Sequence, residues 1–295
     1  MLSRFAAISE QISKATGSVF MPISCRPLAG GDINAAYCLQ GRDKAYFVKL
    51  NSVQLAAMFA AEFAGLNELQ NTNTIRVPTP IVNGTTAQDA YLVLEYINLR
   101  GAHKTSDRLL GEQLARLHRL HQPYFGWHQD NTIGSTLQSN NKSSDWLQFW
   151  RDQRLGFQLD LAAKSGYTGR LQTNGNKLCD EMRAFFASYQ PKPALLHGDL
   201  WAGNAAVDEK GLPVIFDPAC YYGDREADLA MTELFGGFSQ DFYAAYQDHF
   251  LLEPEYRIRK TLYNLYHILN HLNLFGGGYL RQADDMIARL LAEIQ

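Results

Sequence analysis

Apolar residues near the N-terminus, Phe5, Ile8 and Ile12, recur at three- and four-residue steps. That spacing predicts an amphipathic helix, not the unbroken apolar core of a leader peptide. Two short runs follow, "AAYCL" and "AYFVKL", split by the turn-like "QGRDK", and they predict a strand pair. The helical period returns in "SVQLAAMFAAEFAGLNELQ", where Leu55, Met58, Phe59, Phe63, Leu66 and Leu69 mark a stripe. Polar "NTNT" and the breaker "VPTP" end it, and a second strand pair flanks "NGTTAQD", closing on "YLVLEYI". From Asp107 onward long helical segments dominate: "DRLLGEQLARLHRLH", "DWLQFWRDQRLGFQLDLAAK", "KLCDEMRAFFASY" and several more after Asp224. Short strand-like pieces, "PALLHG", "AAVD" and "PVIF", sit between them. The expected fold class is α+β in two lobes: a small β-rich lobe over residues 1–96, a hinge at 97–101, and a larger, mainly helical lobe over 102–295.

Composition narrows the partners. A chain of 295 residues, 46% hydrophobic and 19% charged, buries a substantial core. With net charge −3 and no basic run, it carries no electrostatic footprint for nucleic acid or an anionic membrane surface. No run of eighteen apolar residues occurs, so no membrane span is expected. Cys25, Cys38, Cys179 and Cys220 are widely spaced and read as free thiols in a reducing, cytoplasmic setting. A small molecule is the partner this composition favours.

The stretch "LLHGDLWAGN" places His197, Asp199 and Asn204 just after an apolar run, and Asp217 ends the strand-like "PVIF" downstream. An isolated Asp or Asn is usually a cap or a turn. Carboxylate and amide oxygens at adjacent strand ends, however, form the hard oxygen set that suits Mg²⁺ carrying nucleotide phosphates. His-x-Asp-x-x-x-x-Asn followed by a strand-borne Asp is the arrangement of kinase-type phosphoryl transfer: Asp199 takes the acceptor's proton, and Asn204 and Asp217 hold metal. That scheme demands a strand lysine and a helical glutamate. Lys49 lies within the apolar "YFVKL", and Glu62 sits on the apolar side of the next helix, where an unpaired carboxylate is costly. Glu68 is the alternative partner, nearer the helix end. Gly30, Gly31, Asp32, Ile33 and Asn34, in "LAGGDINAAY", are the candidate phosphate loop, although a plain turn fits that stretch equally. Glu95, Tyr96 and Ile97, where the lobes would join, are candidates to meet adenine through their backbone. His267 and His271 stand one helical turn apart but show no third metal ligand, and His118 and His121 read as answering a helix's negative pole. Asp224 and Asp228 suit a helix start, and Gly276 to Gly278 read as a break between two helices.

These residues resemble the fructosamine kinase (ketosamine 3-kinase) family, related in fold to aminoglycoside phosphotransferases and protein kinases. The resemblance rests on "GGDIN", "FVK", "HGDLWAGN", "FDPACYYGDREADLAM", "DNTIGSTLQ" and "WLQFWRDQRL". It implies a bilobal kinase-like fold and phosphorylation, by ATP with Mg²⁺, of the sugar 3-hydroxyl of ketosamines such as ribulosamines, erythrulosamines or fructosamines, free or on glycated protein. The adduct then eliminates and the amine is restored. It further implies Asp199 as base, Asn204 and Asp217 as metal ligands, Lys49 and Glu62 as the phosphate-clamping pair, residues Gly30 to Asn34 as the phosphate loop, and Trp201 with His197 on the substrate side. Asp228 becomes a brace for the catalytic loop. "DPA" replaces the protein-kinase Asp-Phe-Gly, no Ala-Pro-Glu follows, and Gly198 stands where an arginine would receive an activation-loop phosphate, so the enzyme is expected to be constitutively competent. Leu137 departs from the proline expected in this family. Two other readings share these residues: a kinase for another hydroxyl, of aminoglycoside, choline or homoserine type, and a catalytically inactive binding module. Against the latter, Lys49, Asp199 and Asp217 are all present.

Overall fold

Alternation along Ala45–Ser52 organises the first third of the chain. Tyr46, Val48 and Leu50 face one way and are buried with Phe5, Ile8 and Ile12 of the N-terminal helix, while Lys49 faces the other. The computed structural model describes residues 2–28, 33–101 and 103–294, with Lys104 by its backbone alone. The chain forms two compact units: residues 1–102 with 205–218, and residues 103–204 with 219–295.

The first unit begins with α1 (Ala6–Thr16), then β1 (Ser24–Leu28), β2 (Ala35–Gln40) and β3 (Ala45–Ser52), α2 (Ala56–Asn71), β4 (Pro80–Thr85) and β5 (Asp89–Glu95). The strands form one antiparallel sheet in the order β1-β2-β3-β5-β4. Helix α1 covers one face as its spacing predicts. Strand β1 is not anticipated, because "SCRPL" carries a proline and no alternation; it survives as an edge strand, where Pro27 forfeits no central ladder bond. Strand β4 also reaches Thr85, so the first three residues of the expected "NGTTAQD" turn are strand. The downstream segment joins this unit through backbone bonds from Ile215 N to Arg76 O at 3.0 Å and from Arg100 N to Val207 O at 2.8 Å.

The second unit contains α3 (Lys104–Leu117), the hairpin β6 (Asn131–Ile133) and β7 (Thr136–Gln138), α4 (Trp146–Trp150), α5 (Gly156–Lys164), α6 (Arg170–Glu181) and β8 (Ala194–Leu196). Strands β9 (Ala205–Val207) and β10 (Pro213–Ile215) pair within the first unit, and the chain returns with β11 (Tyr221–Gly223), α7 (Arg225–Leu234), α8 (Gln240–His249), α9 (Tyr256–Phe275) and α10 (Leu280–Ile294). One helix is expected from Asp145 to Lys164. It is observed as α4 and α5 joined through a π-helical turn, Arg151–Leu155, with Asp145 accepting the Leu147 and Gln148 amides as its cap. Helix α9 is buried over most of its circumference, polar residues included, and runs through this unit's core, each buried Leu or Ile adding roughly 1.5–3 kcal/mol. Its one fully buried cation, Arg259, is matched bidentately by Glu226 at 2.7 and 3.0 Å. The three-glycine stretch ends α9, as expected.

Candidate active site

Strand β3 carries Lys49 to the sheet face opposite α1, and α2 presents Glu62 from the same stripe as Met58, Phe59 and Leu66. The two meet: Nζ lies 2.8 Å from Glu62 Oε1. Lys49 also donates to Asp217 Oδ1 at 2.5 Å, from the segment that follows β10. Burial alone would push Lys49 down, but the Asp217 and Glu62 carboxylates outweigh it and hold the ammonium above its ordinary value. Burial also pushes the Glu62 carboxyl up, to about 7, against the pull of Lys49 and with the help of Asp217. Glu68, the alternative, is not the lysine's partner.

Asp217 adopts φ +58°, a left-handed conformation sparsely populated by residues with a side chain, and its carboxylate is 46% exposed. Strain at a half-exposed carboxylate already bound to an ammonium suits a cation-binding oxygen. Asn204 is buried, and its Nδ2 donates to Asp199 O at 2.8 Å and Asp199 Oδ2 at 3.2 Å, which leaves Oδ1 as the atom suited to a cation. Among the described residues no group of three His, Cys, Asp or Glu side chains is placed to hold a metal. Mg²⁺ needs no such cluster, because it is held by one or two protein oxygens together with phosphates and water. Asp217 and Asn204, each taken by itself, offer an oxygen of that kind.

In the second unit, β8 delivers the loop that begins at His197. Asp199 is half-buried at its tip. Gly198 has φ +83°, and a Cβ there would lie 2.1 Å from Ala219 O, so only glycine fits between the loop and the passing strand. The His197 and Gly198 amides donate to Asp228 at 2.7 and 2.8 Å. Burial would raise Asp228, yet the hydrogen bond and charge of His118 outweigh it, helped by His197 and the Gly198 amide, and keep the carboxyl below its usual range. The brace assigned by resemblance to Asp228 is therefore physically in place.

Other candidates separate. His197 is wholly buried, its Nδ1 accepting the Asp199 amide at 3.3 Å, so the expectation that it faces a substrate is corrected: it supports the loop from behind. Trp201 is 37% exposed, lies across Gly203 and meets Phe235 edge-on at 6.1 Å, which keeps it available as a stacking surface. Gly30, Gly31 and Asp32 fall outside the described residues, while Asn34 Oδ1 and Ile33 O accept from Asn51 Nδ2 at 2.7 and 2.9 Å. Glu95 accepts from Arg76 and Thr79, its own amide donates to Thr79 O, Tyr96 accepts from Arg26, and Ile97 is half-buried. His118 is fully buried and bonded to Asp228 and Tyr246, not turned to a helix pole as its position suggested. His267 is buried and pushed down to about 3 by desolvation. Sequence reasoning passed over Gly203 and the side-chain amides Asn131, Gln138 and Asn140; the one available signal was their density in "DNTIGSTLQSNN".

The chain is 48% identical over 286 residues, 96% of each chain, to a probable ketoamine kinase of Synechocystis. It is 42% identical over 263 residues to the chloroplastic protein-ribulosamine 3-kinase of Arabidopsis thaliana, covering 88% of this chain and 80% of that one. A Haemophilus somnus structure provisionally named a fructosamine-3-kinase superposes with TM-score 0.89 at 28% identity, covering 96% of both chains. An aminoglycoside phosphotransferase crystallised with AMP-PNP and hygromycin B shares the kinase-like fold, with TM-score 0.63 at 12% identity over 97% of this chain and 98% of that one. Residues 4–293 match the profile of the fructosamine kinase family, and the chain belongs to that family.

Proposed function

We propose that this chain is an ATP-dependent kinase that transfers the γ-phosphoryl group to the sugar 3-hydroxyl of a ketosamine, free or on a glycated protein, as a step of deglycation repair. The observation that carries the reading is the Lys49 ammonium bound at once to Glu62 and Asp217, an arrangement suited to nucleotide phosphates. Lys49 binds the phosphates and Glu62 aims it. Gly30 to Asn34 cover the phosphates, and backbone groups of Glu95 to Ile97 meet adenine. Asp199 accepts the hydroxyl proton as the acceptor oxygen bonds to the γ-phosphorus and the bond to the β-phosphate oxygen breaks, leaving ADP and the sugar phosphate. Asp217 and Asn204 are the oxygen donors for Mg²⁺, which when bound neutralises charge on the phosphates. Trp201 offers a flat apolar face to the acceptor.

A cytoplasmic setting is supported by four cysteines free of disulfides and, among the described residues, no helix long and apolar enough to span a membrane. The test is ATP turnover on a panel of synthetic ketosamines, with ³¹P detection of the phosphorylated carbon and aminoglycosides, choline and homoserine as competing acceptors. Asp199→Asn is expected to lose roughly 10²- to 10⁴-fold in turnover with ATP binding retained. Wild-type turnover in that variant refutes the assigned base.

A further inference from the structure

Behind the catalytic loop lies a chain of side-chain amides that phosphoryl transfer does not use. Asn131 Nδ2 donates to Cys220 O at 2.8 Å, and Gln138 Nε2 donates to Ala219 O at 3.2 Å and to Asn131 Oδ1 at 2.8 Å. Gln138 Oε1 accepts from the Tyr266 hydroxyl at 2.8 Å. Asn140 Nδ2 donates to Asn131 Oδ1 at 2.9 Å, and Asn140 is held in turn by Arg154 Nη2 at 2.7 Å. All five side chains are buried, Arg154 completely. A buried polar network adds little net stability, because each bond replaces one made to water, and shape-matched apolar side chains serve as well. What such a network gains is a unique backbone position.

The backbone it fixes is the one the catalytic loop leans on. Ala219 N donates to His197 O at 2.8 Å, and Ala219 O, the carbonyl gripped by Gln138, is the atom that closes on Gly198. Gly198 directly precedes Asp199. In a phosphorylation-regulated kinase the segment after the metal-binding aspartate is a mobile loop ordered by an added phosphate. Here it passes at once into β11, paired with β8, with two of its carbonyls held by neutral amides. We propose that Gln138 and Asn131 are positioning residues for the catalytic loop, a built-in clamp on the Ala219–Cys220 backbone that takes the place of phosphate-dependent ordering. The proposal rests on the reading of Asp199 as base.

Gln138→Met keeps length and shape but removes donor and acceptor together. The expected result is a fall in kcat of about tenfold, equivalent to ~1.4 kcal/mol of transition-state stabilisation, with KM for ATP changed by less than about twofold, because Lys49 on β3 and Glu62 on α2 share no hydrogen bond with the network. Tyr266→Phe lowers kcat as well, and the double variant is no slower than Gln138→Met, since Tyr266 reaches the Ala219 carbonyl only through the Gln138 side chain it holds. Assays run far enough below the melting temperature of each variant that it is fully folded, with kcat referred to folded enzyme, so lowered stability alone leaves kcat unchanged. Unchanged kcat in folded Gln138→Met, or additive losses in the double variant, overturns the proposal. If Gln138→Met does not fold, Tyr266→Phe decides, and unchanged kcat there has the same force. Asp199→Asn is measured in parallel: wild-type turnover in it overturns the base and this proposal with it, whereas an inactive Asp199→Asn beside an unimpaired Gln138→Met overturns this proposal alone.

Discussion

Replacing Lys49 by methionine removes the ammonium that Glu62 and Asp217 share, and the consequence for stability depends on pH in a way that can be worked out. In the wild-type fold burial holds the Glu62 carboxyl up at about 7, against 4.5 for the unfolded chain. Between those values the folded state binds the extra proton, so this group's contribution declines as pH rises, by a total on the order of 3 kcal/mol. Above about 7 the loss stops, because Glu62 ionises in both states and Lys49 compensates it. Lys49, whose folded value is raised above 10.5, contributes stability that is constant throughout the range below that pH.

Without the ammonium, nothing opposes burial and the Asp217 charge, so Glu62 keeps its proton well above 7. Breaking a buried ion pair ordinarily costs ~3–5 kcal/mol, but here the stranded carboxyl escapes most of that in acid by staying neutral, and the exposed Asp217 carboxylate remains solvated. The gap between variant and wild type is therefore smallest below pH 6 and widens by ~2 kcal/mol between pH 7 and 8.5. Urea unfolding followed by circular dichroism at pH 5, 6, 7, 8 and 8.5 measures it directly. Parallel stability curves for the two proteins, or a gap that is largest in acid, would refute the reasoning. Adding Glu62→Gln to the variant should abolish the widening.

Three further outcomes are expected. Gly203→Ala puts a methyl 2.3 Å from Trp201 Cη2 and Cζ2; the displaced indole should shift its fluorescence and raise KM for the ketosamine several-fold while KM for ATP stays constant, and steady-state kinetics with both substrates checks it. Gly198→Ala, at φ +83° and against Ala219 O, should abolish turnover and lower stability by ~2 kcal/mol or more, read from the denaturation midpoint. Arg259→Met strands Glu226 in the core and should cost ~3–5 kcal/mol, most of it recovered by adding Glu226→Gln; equal stability of the single and double variants would show that the pair does not carry the charge balance.

The parts of this protein legible in its sequence are those where one residue's requirement implies another's. Lys49 in an apolar strand and Glu62 on an apolar helix face each demand a partner, and the demand is local enough to read from spacing. Helix α1 is legible because burial on one face imposes a period, and β2, β3 and β5 because each is a short apolar run bounded by turn-like residues. Strand β1 is not, since its pairing with β2 is set by partner register and its own residues show no alternation. The substrate-side expectation for His197 failed for a related reason: its neighbours in sequence do not reveal that its ring is spent on the Asp199 amide. Gln138 and Asn131 were invisible as a pair because their common target, the Ala219–Cys220 backbone, lies some eighty residues away in the chain.

The two halves of the proposed reaction are held by opposite physical means, and the contrast follows from what each must do. Lys49 has to exchange its carboxylate partners for phosphate oxygens, so it is kept charged by two anions of which one, Asp217, stands half in water and is free to regroup. A rigid, fully desolvated pair would hold the ammonium too tightly to serve. Asp199 has the converse need: its carboxylate must be kept in one place. Backbone amides, glycine packing and the side-chain amides of Gln138 and Asn131 fix the neighbouring backbone. The carboxylate that braces the loop, Asp228, sits on the far side of the His197 and Gly198 amides, and its charge is spent on those two donors and on His118. Converting Gln138 to a charged residue should therefore harm turnover more than Gln138→Met does, because it alters both the position of the base and the field around it.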